Sequence, residues 1–203
     1  MKRCEGIRLI IMDLIILSDL KILMGGATDF TILVAKDGAG GNGHMASVIQ
    51  DGKGYYYYVT MGDAGGASTS KMISSGDKGG MNVTNLKGAK SMQDAVNMAK
   101  QDKGNSTYTD QVTFKTDSKT DQKIFNETVK KEDKVNLGQE KYNSITNNCA
   151  DATEKPVTTA TGVSLPNNVK PNTNFKNLKE NKAQIQSALD ASAKKDEDKK
   201  PQQ

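Results

Sequence analysis

The pattern of hydrophobic and polar positions predicts four short strands between residues 30 and 115. The apolar run from Phe30 to Ala35 is rich in β-branched residues and has the length of a buried strand. Residues 44–50 and 55–61 are joined by an Asp-Gly turn, which predicts a β-hairpin. Residues 108–115 alternate as a half-buried strand does. Because side chains alternate across a strand, Tyr56 and Tyr58 should lie on one face of the sheet, with Tyr55 and Tyr57 on the other.

Apolar residues three and four positions apart predict four helices from residue 91 onward. One helix should follow its N-cap Ser91 and extend to Gln101, and another should begin at Asp117 or Ser118 and fade in the charged run 130–134, which we interpret as a solvated face. A third should follow Asn147-Asn148 and end at Pro156, and a fourth should span 175–193. Residues 62–88 and 158–174 are interpreted as loops.

These elements predict an α+β fold in which a small antiparallel sheet packs against helices, with flexible N- and C-terminal extensions. Residues 27–180 would form the domain, and 181–203 the end of the last helix and a charged, disordered tail. Residues 1–26 are the most apolar segment, but Asp13, Asp19 and Lys21 interrupt it, so no convincing signal peptide or transmembrane helix is predicted. We interpret 1–26 as a docking helix or a remnant of a longer chain, with membrane association of this segment as the alternative.

Composition and charge limit the classes of function that the sequence predicts. The chain has 203 residues, enough for one domain with a core, and its net charge of +4 is spread among 28 basic and 24 acidic residues. Scattered charge of this size argues against nucleic-acid binding. The Gly-rich stretch 38–43 matches neither phosphate-binding fingerprint, and two cysteines provide no zinc-ligand spacing, so no cofactor and no metal are expected.

Cys149 and His44 are the candidate catalytic pair. A thiol attacks a carbonyl as the thiolate, which a helix N-terminus or an adjacent imidazole favours. Cys149 follows the helix-capping pair Asn147-Asn148, and His44, the single histidine, opens a strand after Gly43. Backbone N–H groups near Cys149, with the side chain of Asn148, could form an oxyanion hole. From the residues alone, a buried structural cysteine and a histidine in a Gly-rich loop account for the pattern equally well.

The order of these motifs resembles the circularly permuted papain-like (NlpC-type) superfamily, and within it the C-terminal domains of bacterial rearrangement-hotspot repeat proteins and related toxins or effectors. The resemblance covers about residues 30–180 and rests on Gly-His before a strand, Gly-Tyr-Tyr-Tyr after a turn, Asn-Asn-Cys-Ala-Asp at 147–151, Leu165-Pro166 and Pro171-Asn172. It implies Cys149 as nucleophile and His44 as general base. The third, orienting residue would lie on or just beyond the strand after the histidine, where Tyr56, Tyr58, Thr60 and Asp63 are available, and Asp63 is our candidate.

The same resemblance implies hydrolysis or acyl transfer at an amide or ester carbonyl. Peptide or peptidoglycan is favoured over a long acyl chain because the sequence offers no wide apolar groove. Tyr56, Tyr58 and Asn148 are the candidate substrate contacts. An immunity protein or a parent polypeptide would be the protein partner, and the product would be cytoplasmic as synthesised or exported as an effector. The alternative is a non-catalytic binding or structural module of the same fold, with the tyrosine face as its contact surface.

Overall fold

A five-stranded antiparallel sheet forms the centre of the protein. The computed structural model describes residues 28–63, 79–101, 107–143 and 146–198. The strands are β1 (Thr28–Ala35), β2 (His44–Gln50), β3 (Tyr56–Asp63), β4 (Gly79–Asn85) and β5 (Asp110–Thr116), in the spatial order β4-β3-β2-β1-β5. The expected α+β class, an antiparallel sheet packed against helices, is confirmed.

In the described part of the chain, five α-helices cover the two faces of this sheet. They are α1 (Met92–Gln101), α2 (Ser118–Asn136), α3 (Cys149–Thr161), α4 (Pro171–Glu180) and α5 (Lys182–Asp198). Helices α2 to α5 pack on one face, and their apolar residues join a core centred on Phe30, Ile32 and Phe114. Helix α1 packs on the other face, against a smaller cluster that includes Leu33, Val48 and Tyr58. The alternation of side chains along the strands therefore separates two cores.

The tyrosine run follows the predicted alternation. Tyr57 faces the larger core, where its ring lies 4.6 Å from that of Phe125. Tyr56 and Tyr58 face the smaller one. Tyr55 precedes β3 and is 61% exposed, because the turn before the strand carries it into solvent.

Several boundaries differ from those predicted. Strand β4 lies within the segment 62–88 that we interpreted as a loop. Its signal was the alternation of Met81 and Val83 with polar residues, and both side chains pack on the larger core. The interpretation of 158–174 as a loop is likewise wrong at both ends, because α3 extends to Thr161 and α4 begins at Pro171.

The predicted helix ends are wrong where packing overrides local signals. Helix α3 continues through Pro156, since buried residues on both sides of the proline hold the helix against the sheet. The helix predicted over 175–193 is two helices, and the second extends to Asp198, into the segment predicted as a disordered tail. The charged run 130–134 is helical, and Lys131 within it is buried rather than solvated. The apolar segment 1–26 lies outside the described residues.

Candidate functional site

Cys149 is the first residue of α3, and a capping box fixes this helix start. The side chain of Asn148 accepts hydrogen bonds from the backbone N–H groups of Ala150 at 2.8 Å and Asp151 at 3.3 Å. In return, the Asp151 carboxylate accepts from the Asn148 N–H at 3.0 Å. The predicted N-cap is confirmed. The positive end of the α3 dipole therefore lies at the Cys149 thiol.

The thiol of Cys149 is buried between α3 and β2. Its sulfur accepts a hydrogen bond from the backbone N–H of Met45 at 3.5 Å, and the side chain is only 4% exposed. Burial raises the pKa of the Cys149 thiol to about 11, although the backbone N–H groups of Met45, Ala150 and Cys149 act in the opposite direction. The resting sulfur is therefore a neutral thiol surrounded by donors that would stabilise a thiolate.

His44 is the first residue of β2, and hydrogen bonds from Asn172 fix the loop 36–43 that precedes it. The Asn172 side chain donates to the carbonyl oxygens of Lys36 at 3.0 Å and Gly41 at 3.1 Å. Gly43 has a φ of +91°, and a Cβ there would lie 2.3 Å from the Asn172 side-chain oxygen. Only glycine therefore fits before the histidine. Asn172 belongs to the Pro-Asn pair of the resemblance, but nothing in the sequence indicated that it would contact the Gly-rich loop.

The imidazole of His44 is hydrogen-bonded to Thr60. Its Nε2 lies 3.2 Å from the threonine hydroxyl, and the ring centroid lies 6.2 Å from that of Tyr108. Burial lowers the pKa of His44 to about 4, so the imidazole is neutral at pH 7. Among the described residues, no hydrogen bond joins the imidazole to the Cys149 thiol.

The main chain of His44 nevertheless lies close to the Cys149 thiol. The Cys149 sulfur contacts the nitrogen of Met45, which is bonded to the carbonyl carbon of His44. Backbone dimensions then place the Cα of His44 within about 6 Å of the sulfur. The structure therefore places the Cys149 sulfur beside the main chain at the start of β2, whereas the His44 imidazole lies with Thr60 on the opposite face of the sheet, which α1 covers.

The three predicted substrate contacts, Tyr58, Tyr56 and Asn148, are buried or half-buried. The Tyr58 side chain is buried, and its hydroxyl lies 2.5 Å from that of Tyr108, which gives it a packing role. Tyr56 is half-buried on the same face. The Asn148 side-chain oxygen accepts in the helix cap, and its amide nitrogen donates to the Val169 carbonyl at 3.5 Å, so in this structure Asn148 is a capping residue.

Asp63 was our candidate for the orienting residue. Its backbone pairs with Gly79 at the end of β3, three residues beyond Thr60, and its side chain lies outside the described part of the structure. Within the described residues, the hydrogen-bond partner of the His44 imidazole is the Thr60 hydroxyl. Thr60 was among the residues that the alternation of β3 offered, but the choice among them needed the register between β2 and β3.

A buried lysine supports the segment before the nucleophile. The Lys131 amino group donates to the side-chain oxygens of Asn147 at 2.8 Å and Glu140 at 3.0 Å. The Asn147 amide donates in turn to the backbone of Lys141 at 2.9 Å. This arrangement fixes the chain immediately before the α3 cap. The charged composition of 130–134 concealed it, since one lysine of that run points inward.

Glu154 is a second buried ionisable group on α3. Burial raises the pKa of its carboxyl to about 9, and the charge of Asp151 adds to the effect. One carboxyl oxygen accepts from the Asn174 amide at 3.3 Å. The other oxygen and the Asn174 carbonyl oxygen have no partner within the described structure. A proton on Glu154 would turn its unpartnered carboxyl oxygen from an acceptor into a donor.

No group of three His, Cys, Asp or Glu side chains among the described residues could hold a metal ion. No helix in the same ranges is both long and apolar enough to cross a membrane.

Comparisons with known proteins add no relative. The chain matches no protein-family model, no curated protein sequence and no solved structure. The likeness to permuted papain-like proteins therefore stays a prediction based on the motifs.

Proposed function

We propose that this protein is a thiol hydrolase or acyltransferase that acts on amide or ester carbonyls, with Cys149 as nucleophile and His44 as general base. The observation that carries the proposal is the hydrogen bond from the Met45 N–H to the Cys149 sulfur, at 3.5 Å. It places a thiol at a capped helix N-terminus, beside the residue that follows the only histidine of the chain.

The neutral resting state determines how such a reaction would begin. With a pKa of about 4 for His44 and about 11 for Cys149, a preformed thiolate–imidazolium pair is disfavoured. A neutral imidazole is, however, the form that can accept a proton. In the proposed reaction, His44 takes the thiol proton as the sulfur attacks the carbonyl. It then protonates the leaving group, and water hydrolyses the thioester on Cys149.

Backbone donors near the sulfur suit the oxyanion that this attack creates. The N–H groups of Met45 and Cys149 lie at the sulfur, and the α3 dipole favours negative charge there. The N–H of Ala150 is less available because Asn148 accepts from it. Removing one oxyanion donor typically lowers kcat by about 10²- to 10³-fold.

An assay of substrate turnover is the direct test of the proposal. Purified protein would be offered peptide, peptidoglycan-fragment and short-chain ester substrates, with release of the leaving group and the mass of the intact protein as readouts. We expect an acyl adduct on Cys149 and loss of turnover in Cys149→Ala and His44→Gln. Cys4→Ser is the matched control and should retain activity. If Cys149→Ala turns over as fast as the parent protein, the proposal is wrong.

The burial of the pair favours a second candidate function. A thiol that is 4% exposed and belongs to the main core can be a packing residue, and the protein is then a non-catalytic binding module of this fold. In that case iodoacetamide would label Cys149 more slowly than an ordinary thiol at every pH up to about 9, and Cys149→Ala would leave partner binding unchanged. Fast labelling of folded protein at neutral pH would contradict it.

A further inference from the structure

A groove lined by lysine side chains lies between α2 and α3, beside the segment that leads to Cys149. Its volume is about 420 Å³, which is within the range of sites for small molecules, and it is open to solvent. Asn147, two residues before Cys149, forms part of its wall. The lysines that line it are Lys130, Lys131, Lys134, Lys141 and Lys155.

This groove carries more positive charge than the nearby carboxylates neutralise. Two glutamates, Glu127 and Glu140, line it together with the five lysines, which leaves a surplus of three positive charges. A further carboxylate, that of Asp151, pairs with Lys155 at 2.9 Å and reduces the surplus to two. Such a local excess is large for a chain whose total net charge is +4. An anionic ligand would therefore be attracted to the groove.

One glutamate is shared by two of these lysines. The Glu140 carboxylate accepts a hydrogen bond from Lys131 at 3.0 Å and lies 3.6 Å from the Lys134 amino group. The hydrogen bond from Lys131 is the main cause that holds the pKa of Glu140 below its usual value, so this carboxylate is ionised at pH 7. A single negative charge thus faces two ammonium groups. Among the described residues, Lys141 has no carboxylate partner.

The buried lysine of the groove also has an unused hydrogen-bond donor. Lys131 is 7% exposed, and its ammonium group has three N–H donors. Two of them are accepted, by Asn147 at 2.8 Å and by Glu140 at 3.0 Å. The third has no partner in the described part of the chain. Because a buried charged group without a full set of partners loses solvation energy, this donor indicates an acceptor that enters from the groove.

The kind of cation favours phosphate over carboxylate as that acceptor. Arginine matches a planar carboxylate with its fork of donors, whereas a lysine ammonium binds phosphate as a point charge. Both arginines of the chain, Arg3 and Arg8, lie outside the described residues. A phosphate ester carries about 1.5 to 2 negative charges at pH 7, which matches the surplus of two. The hydroxyls of Thr146 and Thr159, which also line the groove, are further donors for phosphate oxygens.

We propose that the groove between α2 and α3 is a binding site for a dianionic phosphate group, held by Lys131, Lys134 and Lys141. The group would belong to a small molecule or be the free anion, since both present the same charge and the same oxygens. The site is separate from the proposed hydrolase chemistry. Phosphate binding therefore stands or falls independently of the acyl adduct expected on Cys149.

A titration of the nitrogen-15-labelled full chain, followed by NMR, tests this proposal. The two probes are inorganic phosphate and glycerol phosphate, and the tighter of them identifies the free anion or the ester as the source. We expect a Kd of about 1 mM or below for the tighter probe. The backbone amide signals of Thr146, Asn147 and Lys155 should shift more than those of the sheet. Binding should weaken several-fold between about 50 and 500 mM NaCl, because salt screens these charges.

Substitution of single lysines locates the site. Lys131→Gln should raise the Kd about tenfold or more, since it removes a buried charged donor. Lys134→Gln and Lys141→Gln remove exposed charges and should each raise it about two- to fivefold. These two variants keep the test decisive if Lys131→Gln does not fold. Lys176→Gln is the matched control, because Lys176 is 73% exposed on α4 and outside the groove, and its Kd should equal that of the wild type.

Three results would overturn the proposal. The first is no saturable binding of either probe up to about 20 mM. The second is a Kd that Lys134→Gln and Lys141→Gln leave unchanged, or that Lys176→Gln raises by as much as they do. The third is a tetraglutamate peptide or a single-stranded oligonucleotide that shifts the same amides with a Kd more than about tenfold lower than either probe, since the ligand would then be an acidic peptide or a nucleic acid.

Discussion

Asn148→Ala should destabilise the protein and alter the Cys149 thiol together. The Asn148 side chain accepts from two helix N–H groups, at 2.8 and 3.3 Å, and all three residues of this cap are buried. Loss of an N-cap costs about 1 kcal/mol. The buried N–H groups left without an acceptor add about 1–3 kcal/mol. We therefore expect a loss of about 2–4 kcal/mol in the free energy of unfolding, measured by urea titration.

Asp117→Ala is the matched control for this prediction. Asp117 caps α2 by accepting from the Thr120 N–H at 2.7 Å, but this cap is only partly buried and lies away from the candidate site. It should cost about 1 kcal/mol and leave the rate of iodoacetamide labelling of Cys149 unchanged. Asn148→Ala should increase that rate, because the buried thiol becomes accessible when the helix start frays. Equal losses in the two variants, with no change in labelling, would refute the reasoning.

Three further perturbations test the buried polar groups, each by urea unfolding. Lys131→Ala should lower the free energy of unfolding by about 1–3 kcal/mol, because it leaves the Asn147 side chain without its buried donor. Lys130 is exposed, and Lys130→Ala should change that free energy by no more than about 0.5 kcal/mol. Equal effects would contradict the supporting role of Lys131. Folding lowers the pKa of His44 from 6.5 to about 4, so the stability that the neutral imidazole contributes is lost as the pH falls from 6.5 through 4. His44→Asn should flatten this loss of the free energy of unfolding at acid pH. An unchanged loss in the variant would argue against a buried neutral imidazole. Folding raises the pKa of Glu154 from 4.5 to about 9, so the stability that its protonated carboxyl contributes is lost as the pH rises across that interval. Glu154→Gln should therefore match the free energy of unfolding of the wild type at pH 4.5 and exceed it at pH 9. A difference between the two proteins that stays constant with pH would exclude the buried proton.

Much of the fold follows from local pattern, and the exceptions share a physical cause. The strands around His44 and the start of α3 were predictable because alternation and capping act within a few residues. Strand β4 was missed because four of its seven residues are Gly or Asn, and pairing with β3 stabilises it. The continuation of α3 through Pro156 depends on packing against the sheet, which local propensity does not report.

The two proposed catalytic residues of the candidate site were predictable, and the groups that contact them were not. Cys149 and His44 stand out because each is rare in this chain and each opens an element. The contacts with Thr60, Tyr108 and Met45 are fixed by strand register and by the seat of α3 on β2, which link residues far apart in sequence. Spacing along the chain cannot identify such partners.

In the structure, the positions of Cys149 and His44 and their protonation states point in different directions for the proposed reaction. The Cys149 sulfur lies at the main chain beside His44, yet burial moves the two pKa values apart, to about 11 for the thiol and about 4 for the imidazole. Both shifts have desolvation as their largest cause, so both should shrink together when a polar substrate or water reaches the site. The same substrate carbonyl would also bring a developing negative charge to the Met45 and Cys149 N–H groups. Proton transfer to His44 is therefore expected in the substrate complex rather than in the resting protein, and the labelling rate of Cys149 should rise when an unreactive substrate analogue binds without covering the sulfur.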